Sequence, residues 1–103
     1  MRLAEFLYVM IISFADFETE EIFNGNQSKR LPTDIQRRAA LKLAAINIAP
    51  DINDLRVPPS NHLEKLSGNR AGQYSIRIND KYRICFIWTD ENNAENVEIL
   101  DYH

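Results

Sequence analysis

From residue 73 onward, apolar and polar side chains alternate with period two. Tyr74, Ile76 and Ile78 point one way, and Gln73, Ser75, Arg77 and Asn79 the other. This is the pattern of an antiparallel strand with one covered face. Asn79-Asp80-Lys81 is a hairpin-turn signal, and beyond it Tyr82, Ile84, Phe86 and Trp88 alternate with Arg83, Cys85 and Ile87. A second polar turn spans 90–93, and residues 97–100 make a last strand that ends in Asp101-Tyr102-His103. Upstream the period lengthens. Ile35, Ala39, Leu43 and Ile46 recur at spacings of four, four and three, with Arg37, Arg38 and Lys42 off that stripe. The spacing predicts a helix that starts around Leu31-Pro32-Thr33-Asp34, with Thr or Asp as its cap, and ends near Ala49-Pro50. A shorter amphipathic helix is predicted over 15–24, preceded by Asp16 or Ala15 and stopped by Gly25. Before it, residues 10–14 read as a first strand. The long connection 51–72 holds a short turn at Asp54-Leu55-Arg56-Val57, an extended Pro58-Pro59 step and a basic loop bracketed by Gly68 and Gly72. Strand, helix, helix and a three-stranded antiparallel meander make an α+β layer fold, with the helices packed on one sheet face.

At 103 residues the chain is expected to be one domain, spanning 10–103. Residues 1–9 read as an N-terminal extension. The apolar opening stretch is too short for a membrane span and is interrupted by Glu5, and it lacks the form of a signal peptide. A lone cysteine, Cys85, excludes an internal disulfide framework and suits a reducing, cytoplasmic compartment; between Ile84 and Phe86 it reads as a packed core residue. One Cys and two His at unrelated positions make no zinc set, and no cofactor is expected. The net charge is −3, but it is unevenly spread. Residues 29–88 carry +6, residues 1–28 carry −4 and residues 89–103 carry −5. A basic middle is compatible with nucleic acid, because local rather than net charge attracts phosphates.

Arg77 and Arg83 fall on adjacent hairpin strands, both on the side away from the large apolar residues, so both are expected to rise from one sheet face. Tyr102 and His103 follow the last strand. His62 and Glu64 lie in the long connection, with Lys65 and Arg70 nearby. These residue types fit RNA cleavage by the strand's own 2′-OH. That reaction needs a base, an acid and cations on the phosphate: His, Tyr or Glu supply the proton transfers and Arg the charge. Aromatic rings can stack exposed bases.

The stretch from Gly72-Gln73-Tyr74-Ser75-Ile76-Arg77 through Ile78-Asn79-Asp80-Lys81-Tyr82-Arg83-Ile84-Cys85-Phe86 resembles HigB-type toxins of the RelE superfamily. So do Ile11-Ile12-Ser13-Phe14-Ala15-Asp16, Leu31-Pro32 with Ile35-Gln36, Asp54-Leu55-Arg56-Val57-Pro58-Pro59, Leu66-Ser67-Gly68 and the closing Asp101-Tyr102-His103. Each motif alone is weak; their order and spacing are specific and cover residues 10–103. The resemblance implies a RelE-like fold and ribosome-dependent mRNA cleavage that inhibits translation. It also implies neutralisation by a HigA-type helix-turn-helix antitoxin, and operator DNA bound through that antitoxin. It assigns Arg83 a phosphate-facing role and places Asp101, Tyr102 and His103 on the family's C-terminal catalytic triplet. His103 would transfer a proton, Tyr102 stack or orient, and Asp101 position the end. Arg77, Arg70, Lys65 and Lys81 are the expected RNA contacts. The chain departs from the family where a catalytic histidine precedes the Leu-x-Gly step: Glu64 stands there, with His62 two residues upstream. Either of the two is then the candidate for that role. The alternative is a weakly or non-catalytic protein acting mainly in an autoregulatory antitoxin complex.

Overall fold

A computed structural model describes residues 10–101. Residues 1–9, the expected extension, and Tyr102 and His103 lie outside the described residues. Helix α1 (Phe17–Phe23) is capped by Asp16, whose carboxylate accepts from Thr19 N at 2.7 Å. It runs out at Asn24 and Gly25, where φ of +88° ends the helix as the sequence predicts. Helix α2 (Thr33–Ile48) buries the predicted stripe of Ile35, Ala39, Leu43 and Ile46. Its start differs from the expected Thr or Asp cap. Pro32 occupies the cap position and offers no side-chain acceptor. Instead the Gln36 amide bonds Leu31 O at 2.9 Å and exchanges two bonds with the Ser28 backbone, clamping the loop to the first turn from outside.

Four strands follow: β1 (Glu64–Lys65), β2 (Gln73–Arg77), β3 (Tyr82–Trp88) and β4 (Ala94–Asp101), antiparallel in the order β1-β2-β3-β4. The last three are the predicted meander. The two-residue β1 is an addition that no period-two run announces. The N-terminal strand is reduced to two parallel bridges on β4, Ile11 to Ala94 and Phe14 to Val97. The cause lies in β4, where Asn96 takes φ +51° at a bulge opposite the Cys85–Ile87 stretch of β3. The bulge interrupts a regular ladder, and Ser13 Oγ accepts the displaced Asn96 N–H at 2.8 Å. It also shifts parity, so that Ala94, Val97 and Ile99 all reach the core.

Both helices cover one face of the sheet. Ile22, Leu43 and Ile46 meet Ile76, Ile84, Phe86, Val97 and Ile99 in one cluster, extended by the stacked Tyr74–Phe86 and edge-on Phe86–Trp88 ring pairs. The outer edge of β4 is closed by the N-terminal segment, with Asn47 Oδ1 of α2 accepting from Ile11 N at 3.1 Å. Beyond that segment, Thr19 Oγ1 accepts from Ile99 N at 3.0 Å, and both residues are buried. Thr19→Val keeps the shape but leaves the Ile99 N–H buried without an acceptor. It should lower stability by about 1–3 kcal/mol, read as a reduced urea midpoint with unchanged slope; an unchanged midpoint would remove this bond from the account of the closed edge.

Candidate active site

The sheet face opposite the helices carries the charges. Cross-strand partners share a face, and Arg77 lies directly across from Arg83, Ser75 across from Cys85, and Glu64 across from Ser75. Three strands therefore deliver Glu64, Ser75 with Arg77, and Arg83 to one area. The side chain of Arg83 is only 11% exposed. Its Nε donates to Ser75 Oγ at 2.9 Å, an Nη donates to the His62 carbonyl at 2.6 Å, and the same nitrogen stands 3.4 Å from the Glu64 carboxylate. The guanidinium is thus held by a strand, a loop and an edge carboxylate. Arg77 pairs with Asp80 of the hairpin turn. Each member of the like-charged pair has its own acid, which offsets their mutual repulsion.

His62 reaches this area through a built turn. Asn61 is buried, and its Nδ2 donates to the carbonyls of Leu55 at 3.1 Å and Val57 at 3.3 Å. The next residue, His62, takes φ +45° and ψ +57°, a left-handed conformation uncommon outside glycine but one that histidine adopts more readily than most. It turns its carbonyl onto Arg83. His62, Glu64, Arg77, Asn79, Asp80 and Arg83 line an open cavity of about 310 Å³.

The sequence-predicted site residues separate into two sets. His62, Glu64, Arg77 and Arg83 come together. Asp101 pairs with Tyr82 in register, and its carboxylate meets Lys81 Nζ at 3.6 Å; neither residue lines the cavity. Lys65 faces the other side of β1, opposite Tyr74. Arg70 bonds Gln73 at 3.0 Å and pairs with Glu98 at 3.4 Å, at the far end of the hairpin from Arg77 and Arg83. Tyr102 and His103 lie outside the described residues. Ser75, Asn79 and Asp80 belong to the site although the sequence marked them only as strand and turn. The signal for Ser75 was its parity with Arg77; nothing local marked Asp80. Cys85 lies beneath this face, fully buried, and burial pushes its thiol above the ordinary range. Among the described residues no group of three or more His, Cys, Asp or Glu side chains is placed to hold a metal ion, and no helix is long and apolar enough to cross a membrane.

A model of the RelE-like toxin HigB of type II toxin–antitoxin systems matches residues 12–103. The chain belongs to this family. The HigB-like chain is 38% identical over 82 residues to Toxin HigB-1 of Vibrio cholerae, covering 79% of this chain and 86% of that one. It is 42% identical over 79 residues to an uncharacterized protein of Haemophilus influenzae, covering 77% and 76%. The fold matches the YoeB dimer from Staphylococcus aureus with a TM-score of 0.55 at 21% identity, over 92% of this chain and 99% of that one. It matches the YoeB–YefM complex from the same organism at 0.52 and 18%, over 90% and 97%. The α+β architecture read from the sequence is therefore the RelE-like one, and membership in a toxin–antitoxin system implies an antitoxin partner.

The cavity presents two guanidiniums, each beside a carboxylate. Glu64→Gln removes a carboxylate 3.4 Å from Arg83. It should tighten binding of inorganic phosphate about threefold, the change expected for one exposed charge ~6 Å from an anion in a near-aqueous dielectric. Chemical-shift titration measures it; weaker binding would show that Glu64 positions Arg83 rather than opposing the anion.

Proposed function

We propose that this HigB-like toxin is a metal-independent endoribonuclease that cuts mRNA on the ribosome. Translation stops as a result, and a HigA-type antitoxin with a helix-turn-helix domain neutralises the toxin and carries it to operator DNA. The observation that supports this most is the juxtaposition of Arg77 and Arg83 across one cavity with a carboxylate and a histidine on its wall. Paired guanidiniums suit a phosphodiester whose negative charge grows in the transition state. In the proposed reaction the 2′-OH attacks the adjacent phosphorus. An O2′–P bond forms and the P–O5′ bond breaks, leaving a 2′,3′-cyclic phosphate and a 5′-OH. Glu64, which stands where the family has histidine, accepts the 2′-OH proton, with His62 beside it. Arg83 and Arg77 hold the charge on the nonbridging oxygens. His103 returns a proton to O5′, Tyr102 stacks or orients the base, and Asp101 steadies the strand end through Lys81. Arg70 and Lys65 lie farther from this centre and serve the approach of RNA.

A second reading has a specific observation behind it. The Glu64 carboxylate beside Arg83 opposes the phosphate where the family has a histidine, which favours a weakly or non-catalytic protein acting mainly in its antitoxin complex. Mapping transcript ends after expression without antitoxin separates the two, since growth arrest with no new 5′ ends supports the binding reading.

Arg83→Ala should lower cleavage about 10²- to 10³-fold, in the range of losing one charge-stabilising donor, and removal of His103 should relieve growth arrest. Both variants should still be captured by antitoxin. Glu64→Gln should lower kcat while phosphate affinity rises, and Glu64→His should restore cleavage. Undiminished toxicity in both the Arg83 and His103 variants would sink the site assignment.

A further inference from the structure

A second concavity, about 710 Å³, lies between the exposed side of α2, the loop 57–61 and the hairpin tip. Arg38 and Lys42, one helical turn apart, form its cationic wall, and Leu41, Val57 and Pro58 an apolar one. Arg77, Asn79 and Asp80 line this cavity and the site already described, so the two are continuous across the tip of the β2–β3 hairpin.

Neutral acceptors fix both cations. Arg38 Nη1 donates to Ile78 O at 3.2 Å, and Lys42 Nζ donates to Asn61 Oδ1. Arg30, Arg70, Arg77, Lys81 and Arg83 each meet a carboxylate. Among the described residues none comes within ion-pairing distance of Arg38 or Lys42. Burial, and then the neighbouring Arg38, hold the Lys42 pKa below its ordinary range, a strain that a bound anion would relieve. Beside these cations, Leu41 and Val57 leave 63% and 74% of their surface exposed. A small inorganic anion needs no apolar wall, and an apolar peptide needs no unneutralised cations. A nucleotide uses both, through its phosphate and through the faces of its sugar and base.

We infer that this cavity is a second nucleotide subsite for single-stranded RNA. It holds the nucleotide next to the scissile one, with its phosphodiester between Arg38 and Lys42 and its sugar or base against Val57 and Pro58. This rests on reading the first cavity as the site of RNA cleavage. Asn61 ties the two, since its Oδ1 holds Lys42 while its Nδ2 braces the turn that delivers His62.

The test is an NMR titration with oligoribonucleotides of two, three and four residues, 2′-deoxy at the cleavage position so that they survive. The dinucleotide should shift amides around Arg83. The longer strands should also shift those around Arg38, Lys42 and Val57 and bind about fivefold tighter or more. Arg38→Gln with Lys42→Gln should abolish the gain and reduce the salt slope by about 0.7 for the lost phosphate contact. Arg38→Lys with Lys42→Arg should keep it, and thermal melts of both pairs show that they fold. A dinucleotide that binds through Arg83 with no gain on lengthening would overturn this inference alone. Absence of any binding at Arg83 would overturn the cleavage-site reading and this one with it. A Gln pair that keeps the RNA gain but loses antitoxin would assign the surface to the antitoxin instead.

Discussion

Ile76 lies across from Ile84 in the β2–β3 hairpin, and that register sets the parity of the rest of the sheet. Side chains alternate, so the pairing that buries these two isoleucines and stacks Tyr74 on Phe86 also places Arg77 opposite Arg83 on the other face. A slip of one residue would set Arg77 across from Tyr82 or Ile84 and turn one of the two strands over, carrying its guanidinium into the helix-covered core at a cost of several kcal/mol. The apolar face thereby enforces a juxtaposition that electrostatics alone would oppose. Like charges directly across a strand pair are unfavourable, and here the core holds them together.

With the two arginines fixed in place, the fold supplies an acid to each. Asp80 enters from the turn and Glu64 from the short edge strand β1, each meeting one arginine. The two are not equivalent. Asp80 is almost fully exposed and belongs to a flexible kind of pair that water screens well, whereas Glu64 is fixed by backbone pairing to β2 and faces the more enclosed arginine. On the proposed reading, an incoming phosphate would displace the first at little cost and contend with the second. The chemical character of the cavity is therefore set by what stands at position 64. A carboxylate there is a weaker base than imidazole and also opposes an anion; a neutral imidazole is the stronger proton acceptor and carries no opposing charge.

The sequence disclosed those features in which one local period carried the information. The α2 stripe of Ile35, Ala39, Leu43 and Ile46 and the alternation on β2 and β3 are repeated signals; the stripe is buried throughout, and on the strands Ile76, Ile84 and Phe86 are buried but so are Ser75 and Cys85 of the other face. The facing of Arg77 and Arg83 followed from the same alternation. Features that rest on single long-range contacts were not legible. The two residues of β1 are too few for a period, and they become a strand only because β2 offers its edge. The N-terminal strand looked regular on its own, but its partner carries a bulge at Asn96 that the apolar run 11–14 gives no hint of. The α2 cap failed for a similar reason: Gln36 reaches Ser28 across eight residues and makes a local capping side chain unnecessary. In the site, Lys81 and Asp101 were drawn together by proximity in the fold, yet they pair with each other away from the cavity.

The uneven charge along the chain gains its meaning only in the folded state. A net charge of −3 would suggest a protein repelled by RNA. At physiological ionic strength, however, charges more than about 8–10 Å apart are largely screened, so a phosphate responds to its neighbours and not to the total. The fold brings the acidic ends onto particular basic residues: Asp16 onto Arg30, Glu98 onto Arg70 and Asp101 onto Lys81. None of these pairs lines either cavity. These three acids from the terminal segments are thus paired away from the two cavities. Among the described residues, Arg77 meets Asp80 and Arg83 meets Glu64, whereas Arg38 and Lys42 meet neutral acceptors. The positive surface on which the proposed RNA binding rests is therefore made by where the acids go, which the net charge does not disclose.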